Sequence, residues 1–419
     1  MDRRVSERSG SLSQSFFTIV CIFLLQTPFG FPRPWKNDVK NWDFFTLTSA
    51  WTHEHVSRIA EQDFARVQLI CGRHTRPLLP GTLLWDMWPI QLPDGSIAMI
   101  NEGSVWMALA APNRSDPGLR HFEARIRLLH LKGGRWRDLG WALPDIDYPF
   151  EREWAGTAVL KDNNVSLFFT AAGCVDSPGG YQQRLFEIHG ALRLDGHIDD
   201  WSLLRESVSN NGKFYEVANQ QEGVPGKITA FRDPAYFCDP ADGHEYLLFT
   251  ASLAGTKSEY NGAIGIARRL GDHDWHLLPP LLHADGVNNE LERAHMVFKD
   301  GRYYLFWVTQ ASTFDPNGTV GPTGLYGMVS NQLFGDYEPL NGSGLVLANP
   351  REEPMQTYSW HVTKELLVSS FVDHWGLKGR SIANNPELAA ESFGGTPAPF
   401  IKLVLDGSYA TICGEFNHA

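Results

Sequence analysis

Short runs of apolar residues, rich in β-branched and aromatic side chains, follow one another along nearly the whole chain. Turn-forming Gly, Asp, Asn and Pro separate them, as is typical of β-strands joined by short turns. Helical periodicity is scarce, and its best example is SRIAEQDFARVQ at 57–68. The pattern therefore predicts an all-β protein. The predicted strands are GSIAMI (95–100), SVWMALAA (104–111), IRLLHL (126–131), VSLFFTAA (165–172), RLFEIHGALRL (184–194), EYLLFTAS (245–252), AIGIARR (263–269), YYLFWVT (303–309), LYGMVS (325–330), LLVSSFV (366–372) and IKLVLD (401–406).

A weak repeat accompanies these strands. Four turns pair Asp with Gly or Asn and lead into an apolar strand, at spacings of 68, 80 and 58 residues. Each period holds about four strands, as a propeller blade does, and roughly 380 residues would give five to six blades. No internal linker interrupts residues 40–419. We therefore expect a single domain, a β-propeller with a central funnel. The four turns are Asp94-Gly95, Asp162-Asn163, Asp242-Gly243 and Asp300-Gly301.

Counting back eight or nine residues from each turn reaches Asp86, Trp154, Asp233 and Glu292. The innermost strands of propeller blades line one funnel, so equivalent positions on successive blades should converge there. Three carboxylates and a tryptophan would meet in this pocket. Like charges held close together are costly unless they serve a function, which makes the set a candidate active site.

The neighbours of these residues suit a sugar. Trp85 precedes Asp86, Arg232 precedes Asp233, and Glu290 and Arg293 flank Glu292. Aromatic faces stack on the apolar C–H surfaces of sugars, while Arg and carboxylates bind hydroxyls. Each tryptophan by itself would also suit a core position. His295, in the same NNELERAH stretch, could face an acceptor or be a hydrogen-bonded core histidine.

Charge and cysteine content narrow the function. The formal net charge is −12 and no Lys/Arg run occurs, which argues against nucleic-acid and anionic-membrane partners. Cys71, Cys174, Cys238 and Cys413 are widely spaced and form no CxxC pair. They allow three disulfide pairings or free thiols, and no metal site is expected from them.

The N-terminus resembles a targeting segment. Arg3, Arg4 and Arg8 precede FFTIVCIFLL at 16–25, an apolar run too short to cross a bilayer but suited to a signal-peptide core. We expect a signal peptide over residues 1–31, secretion, and no membrane association after its removal. A buried N-terminal strand or an uncleaved anchor would produce the same pattern.

Several stretches, in order, resemble family 68 of the glycoside hydrolases, the levansucrases and related fructosyltransferases that act on sucrose. The resemblance runs from about Trp51 to Leu405 and implies a five-bladed β-propeller that needs no cofactor. Its partners would be sucrose and fructan acceptors. The stretches are WDMWP (85–89), EREWAG (151–156), FRDP (231–234), ELERAH (290–295), YEPLNGSGLVLANP (337–350) and QTYSWH (356–361).

The same resemblance implies roles for individual residues. Asp86 would be the nucleophile of a retaining reaction, Asp233 the transition-state stabiliser and Glu292 the general acid/base. The implied substrate contacts are Trp85, Trp154, Arg232, Glu290, Arg293 and Tyr358. No complete set of calcium ligands, which some relatives carry, can be matched.

Two positions depart from the family pattern. Ala155 stands where many relatives have a serine that helps to hold the nucleophile, and Gln310, at the acceptor side, stands where polymer-forming relatives tend to have Arg or His. Two alternatives are an invertase-like β-fructofuranosidase that makes no polymer and an inactive sugar-binding propeller. FDPNG at 314–318 is similar to the nucleophile motif of family 32 invertases, but Asp315 follows Glu292, so we interpret it as a loop.

Overall fold

The computed structural model describes residues 48–114, 116–219 and 226–417, and all of them belong to one compact unit. Strands account for 50% of the structure and helices for 8%, so the prediction of an all-β protein is confirmed. The apolar run at 16–25 lies outside the described residues. No helix within the described ranges is long and apolar enough to cross a membrane.

The first described segment contributes short elements: β1 (Ser49–Ala50), α1 (His53–Ser57), a 3-10 helix (Arg58–Glu61) and β2 (Ala65–Arg66). The helical pattern at 57–68 thus forms helix only as far as Glu61. The chain becomes extended at Gln62, and β2 pairs in parallel with a later strand. Tertiary pairing outweighs the local helical pattern here.

The other strands form five antiparallel meanders of consecutive strands. The first contains β3 to β7 (Thr82–Gln91, Met99–Ile100, Gly103–Pro112, Arg125–Lys132, Arg135–Trp141). The second contains β8 to β12 (Arg152–Lys161, Asn164–Ala172, Gln183–Leu192, Ile198–Asp199, Arg205–Val208). The third contains β13 to β16 (Phe231–Cys238, Glu245–Ser252, Gly262–Gly271, Asp274–His283).

The fourth meander contains β17 to β21 (Glu292–Lys299, Arg302–Thr309, Gly324–Ser330, Glu338–Pro339, Leu345–Ala348). The fifth contains β22 to β26 (Thr357–Val362, Leu367–His374, Phe393–Pro397, Phe400–Asp406, Tyr409–Asn417), with α2 (Pro386–Ser392) before β24. Further 3-10 helices lie at Pro117–Phe122, Ala311–Thr313 and Leu340–Gly342.

The first strands of the five meanders contact one another in a closed order. β3 contacts β8, β8 contacts β13, β13 contacts β17, β17 contacts β22, and β22 contacts β3 again. The predicted propeller requires this cyclic arrangement, with the first strands innermost. Large apolar residues fill the space between neighbouring meanders.

Each first strand carries one extra residue relative to the strand beside it, a β-bulge that bends the strand. The bulges lie at Trp85–Trp88, Trp154–Gly156, Arg232–Ala235, Glu292–His295 and Tyr358–His361. All five therefore interrupt the innermost strands, where side chains can be turned toward the centre.

The sequence left the state of the cysteines open. Cys71, Cys174, Cys238 and Cys413 are all free thiols in the structure.

Candidate active site

The bulges place Asp86 and Asp233 at equivalent positions. Both adopt left-handed backbone angles, with φ of 48° and 56°, as do Arg293 and Ser359 in the fourth and fifth meanders. Aspartate tolerates this conformation better than most residues. Ala155 is the counterpart in β8. Two of the three predicted catalytic carboxylates thus project from matching sites on different strands.

Trp154 and Glu292 lie one position earlier in their strands than Asp86 and Asp233 do in theirs. They are equivalent to Trp85, Arg232 and Tyr358 on the other first strands. The predicted equivalence of Trp154 and Glu292 with Asp86 is therefore wrong by one residue. The cause is turn length. Two-residue turns close the hairpins after Trp154 and Glu292, at Lys161 to Asn164 and Lys299 to Arg302, but longer connections follow Asp86 and Asp233.

Arg232 connects three acidic residues. Its Nη2 lies 3.1 Å from Oε1 of Glu292 and also contacts Oε1 of Glu290, and its Nε lies 3.4 Å from Oδ2 of Asp233. The Arg232 side chain is buried. The structure therefore brings Arg232, Asp233, Glu290 and Glu292 together, and one cation is shared among three carboxylates.

Asp233 is held by two buried threonines. Oγ1 of Thr250 donates to its Oδ2 at 3.2 Å, and its backbone N–H donates to Oγ1 of Thr170 at 2.8 Å. Burial raises the pKa of Asp233 to about 6; Arg232 opposes the rise, while the charges of Glu292 and Asp86 add to it. This electrostatic coupling places Asp86 in the same acidic site.

Tyr358 lies between Glu292 and Gln310, the residue predicted at the acceptor side of the site. Its hydroxyl donates to Oε2 of Glu292 and also forms a hydrogen bond with the Gln310 side chain. Burial, followed by the charges of Glu292 and Asp86, raises the pKa of Tyr358 well above its ordinary range. Tyr358 therefore stays a neutral donor, and Gln310 lies next to the site.

Arg293 points into the framework. Its guanidinium donates to Oγ of Ser359 at 2.7 Å, to the carbonyl of Ser359 at 3.2 Å and to the carbonyl of Met87 at 3.0 Å. Its backbone N–H donates to Oγ1 of Thr250 at 2.9 Å. The predicted substrate contact is thus a buried clamp that joins β17 to β22 and to the residue after Asp86.

His295 is a hydrogen-bonded core histidine, the second of the two interpretations that the sequence allowed. Its Nδ1 donates to the carbonyl of Arg293 at 2.8 Å, and its Nε2 accepts the N–H of Val362 at 2.9 Å. Burial lowers the pKa of His295 to about 4. A neutral ring with both nitrogens used has no polar atom left for a sugar, so the acceptor-facing interpretation is wrong.

The tryptophans border the site together with a pair of residues that the sequence did not reveal. Nε1 of Trp154 donates to the carbonyl of His121 at 3.0 Å, and the His121 ring meets Trp85 edge-on with centroids 6.1 Å apart. The Arg120 guanidinium lies 5.6 Å from the Trp85 ring. Both residues belong to the 3-10 helix at Pro117–Phe122, whose polar sequence carries no signal of its function.

Asp373 is an acidic residue of the site that the sequence did not reveal. Burial raises its pKa to about 7, with Arg120 opposing and Asp86 adding to the rise. It is therefore coupled to the same site from β23. Asp315, in contrast, lies after the 3-10 helix at Ala311–Thr313 and caps its own turn through Asn317, as the loop interpretation predicts.

Known proteins resemble this chain over nearly all of the propeller. The model of glycoside hydrolase family 68, described as Levansucrase/Invertase, matches residues 42–262 and 256–416. A levansucrase of Zymomonas mobilis is 35% identical over 77% of this chain and 80% of its own, and one of Erwinia amylovora is 31% identical over 90% and 97%.

A solved structure agrees with these sequence matches. The inulosucrase of Halalkalicoccus jeotgali, bound to kestose, is 37% identical, covers 88% of this chain and 96% of its own, and superposes with a TM-score of 0.81. The chain therefore belongs to glycoside hydrolase family 68, the levansucrase and invertase family.

Proposed function

We propose that this protein cleaves sucrose with net retention and transfers the fructosyl group to water, sucrose or a growing fructan. Its family and its sugar-processing relatives support this function. The observation that carries the proposal is the pairing of Asp86 and Asp233 at equivalent left-handed bulges, with Glu292 beside them.

In the first step, Asp86 attacks the anomeric carbon of the fructosyl unit, and Glu292 gives its proton to the oxygen of the departing glucose. The product is a fructosyl ester of Asp86. In the second step, Glu292 takes the proton of the acceptor hydroxyl, which displaces Asp86. Two displacements at one carbon restore its configuration, and Glu292 returns to its initial protonation state.

The charge balance suits the transition state. Asp233, Glu290 and Glu292 share Arg232 as their direct ion-pair partner among the described residues, Asp86 forms no ion pair there, and Arg293 is engaged with Ser359 and Met87. The excess of negative charge favours the positive, oxocarbenium-like fructosyl group. Asp233, once ionised, would hydrogen-bond the sugar hydroxyls.

The remaining candidates would bind the substrate. Trp154 is partly exposed and offers an aromatic face, and Glu290, Arg232 and Tyr358 offer polar groups to the hydroxyls. Trp85 is only 1% exposed, so it would shape the wall of the site. Gln310 would meet the incoming acceptor next to Tyr358. Because Arg293 contacts Met87 and Thr250, we assign it to positioning Asp86 and Asp233.

Two further features complete the proposal. Residues 40–419 would form the catalytic five-bladed propeller, and residues 1–31 would be a signal peptide that directs secretion. Mass spectrometry of protein collected outside the cell should find a chain that starts after about residue 27 to 35. Recovery of Met1 or Cys21 in the exported protein would contradict cleavage.

The direct experiment is incubation with sucrose and measurement of free glucose and fructose. Methanol added as an acceptor should yield methyl β-fructofuranoside, the retained configuration, by NMR. Asp86→Asn should lose the activity, whereas Asp94→Asn, at an exposed turn, should keep it. An inactive wild-type protein of native spectrum would favour the sugar-binding alternative, and an inverted methyl fructoside would exclude the proposed mechanism.

A further inference from the structure

A second group of chemically active side chains lies away from the acidic site. Glu187 and His189 are two residues apart on β10 and therefore face the same side of the strand. His273 lies in the turn between β15 and β16, in the neighbouring meander. One ligand atom from each of the three lies within 4.8 Å of the other two.

The three side chains are already oriented toward one another. Oε1 of Glu187 lies 2.7 Å from Nδ1 of His273 and 3.8 Å from Nε2 of His189. The Glu187 side chain is only 1% exposed. Buried carboxylates need compensating partners, and two imidazoles converge on this one.

A second set of contacts fixes the ligand atoms. Oγ of Ser166 lies 2.9 Å from Nδ1 of His189, and Nε1 of Trp275 donates to Oε2 of Glu187 at 3.2 Å. These bonds occupy the outer atoms and leave Nε2 of His189 and Oε1 of Glu187 facing the cluster. Metal-binding histidines and carboxylates are commonly held in this way.

His189 supplies an independent sign of a missing partner. Its Nε2 is buried and has no hydrogen-bond partner in the described part of the chain. Buried polar atoms are nearly always hydrogen-bonded, and Oε1 of Glu187, 3.8 Å away, is too far for a hydrogen bond, so this nitrogen suits a ligand position.

We propose that Glu187, His189 and His273 bind one divalent transition-metal ion of the zinc class, which clips the second and third meanders together. Two imidazoles and one carboxylate suit Zn²⁺, Cu²⁺ or Ni²⁺ and do not suit Ca²⁺ or Mg²⁺, which take oxygen ligands. The ion takes the place of the hydrogen bond between Nδ1 of His273 and Oε1 of Glu187, and the displaced proton passes to solvent. His189 and His273 border an open surface depression, so water can supply the fourth ligand.

The test uses the full chain without an affinity tag, freed of metal by a chelator and titrated with Zn²⁺. We expect one equivalent per chain and a rise in Tm of about 3 °C at a hundredfold excess over Kd. Co²⁺ should give the intense visible absorption of a tetrahedral site. His189→Ala and His273→Ala should each weaken Zn²⁺ binding at least about tenfold and remove the rise in Tm.

The matched control is His276→Ala, because His276 is exposed on the same hairpin and outside the cluster. It should bind Zn²⁺ as the wild type does. His273 is 40% exposed, so its removal leaves the packing intact and its variant tests the site even if His189→Ala misfolds. Absence of stoichiometric binding by the wild type, or equal binding by His273→Ala, would overturn the proposal.

Discussion

Thr250 and Asp233 are joined by a buried hydrogen bond, in which Oγ1 of Thr250 donates to Oδ2 of Asp233 over 3.2 Å. The bond stabilises the ionised form of a carboxyl whose pKa burial raises to about 6. An ionised Asp233 is the form that can offset positive charge on the fructosyl group. Thr250 therefore helps to determine the lowest pH at which the proposed reaction proceeds.

Thr250→Val should move the acidic limb of kcat/KM to higher pH. Loss of the donor disfavours the carboxylate, so the pKa of Asp233 rises by about 1 unit and more protonated, inactive enzyme is present at each pH below it. The control is Thr170→Val, because Thr170 binds the backbone N–H of Asp233 and leaves its carboxylate untouched. Equal shifts in the two variants would contradict this assignment.

Asp86→Asn, Asp233→Asn and Glu292→Gln should each lower kcat at least about 1,000-fold, as expected for residues that act as a unit. Asparagine accepts the left-handed backbone of positions 86 and 233, so folding should be preserved. Circular dichroism and initial rates on sucrose measure both effects. A variant that keeps a tenth of the wild-type rate would remove its residue from the catalytic set.

Glu292→Gln also allows a sharper test of its role. On β-fructosyl fluoride, whose leaving group needs little protonation, the first step should recover in Glu292→Gln and azide should replace the missing base in the second. Neither the fluoride substrate nor added azide should restore the activity of Asp86→Asn. Equal behaviour of the two variants would mean that nucleophile and acid/base are wrongly assigned.

Arg293→Lys should destabilise the fold by about 2–4 kcal/mol and lower kcat. Lysine cannot reproduce the fork that holds two residues at three points, so buried carbonyls lose their donor. Urea unfolding gives the stability. Ser359→Ala removes one of the three bonds and should cost less, and the exposed Arg302→Lys should change little. A fully stable Arg293→Lys would exclude the clamp.

His295→Gln should destabilise the protein more at pH 8 than at pH 5. The pKa of His295 is about 4 in the folded protein and about 6.5 when unfolded, so acidification protonates the unfolded chain first and lowers wild-type stability. The difference in unfolding free energy between variant and wild type should shrink by about 2 kcal/mol from pH 8 to pH 5. His276→Gln, at an exposed position, should show no such dependence.

Gln310→His and Gln310→Arg should increase fructosyl transfer relative to hydrolysis while leaving sucrose cleavage largely intact. A neutral amide holds an acceptor hydroxyl about half as strongly as a charged donor, whereas water needs no such contact. The unmodified enzyme should therefore release mostly fructose at modest sucrose and make short oligosaccharides at high sucrose. Chromatography of the products measures this ratio. Long fructan as its main product at low sucrose would contradict the prediction.

The sequence predicts the continuous apolar strands well and the bulged first strands of the meanders poorly. β9, β14 and β18 are continuous apolar runs, and the sequence locates them within about a residue. β3, β8, β13, β17 and β22 do not appear among the predicted strands, because bulges and polar funnel residues interrupt their alternation. The strands that carry the site are thus the ones whose local pattern is weakest.

The site itself was partly predictable. Asp86, Asp233 and Glu292 stand out because carboxylates recur near equivalent places, and family motifs contain them. Distance along the chain did not give their register, since turn lengths vary between meanders. The direction of the Arg293 and His295 side chains depends on Ser359 and Val362, which come from another meander. Such partners become visible only after the chain has folded.

The parallel pairing of β1 with β16 and of β2 with β21 has a consequence for aggregation. An unpaired strand at the rim of a sheet offers backbone donors and acceptors to any neighbouring molecule. Ser49 and Ala50 occupy the end of β16, whose central part already carries Pro279 and Pro280, and Ala65 and Arg66 occupy half of β21. The segment that contains β1 and β2 thereby covers part of two edge strands, β16 and β21. Covered edges are less able to pair with strands of other molecules, which matters for a chain built largely of strands.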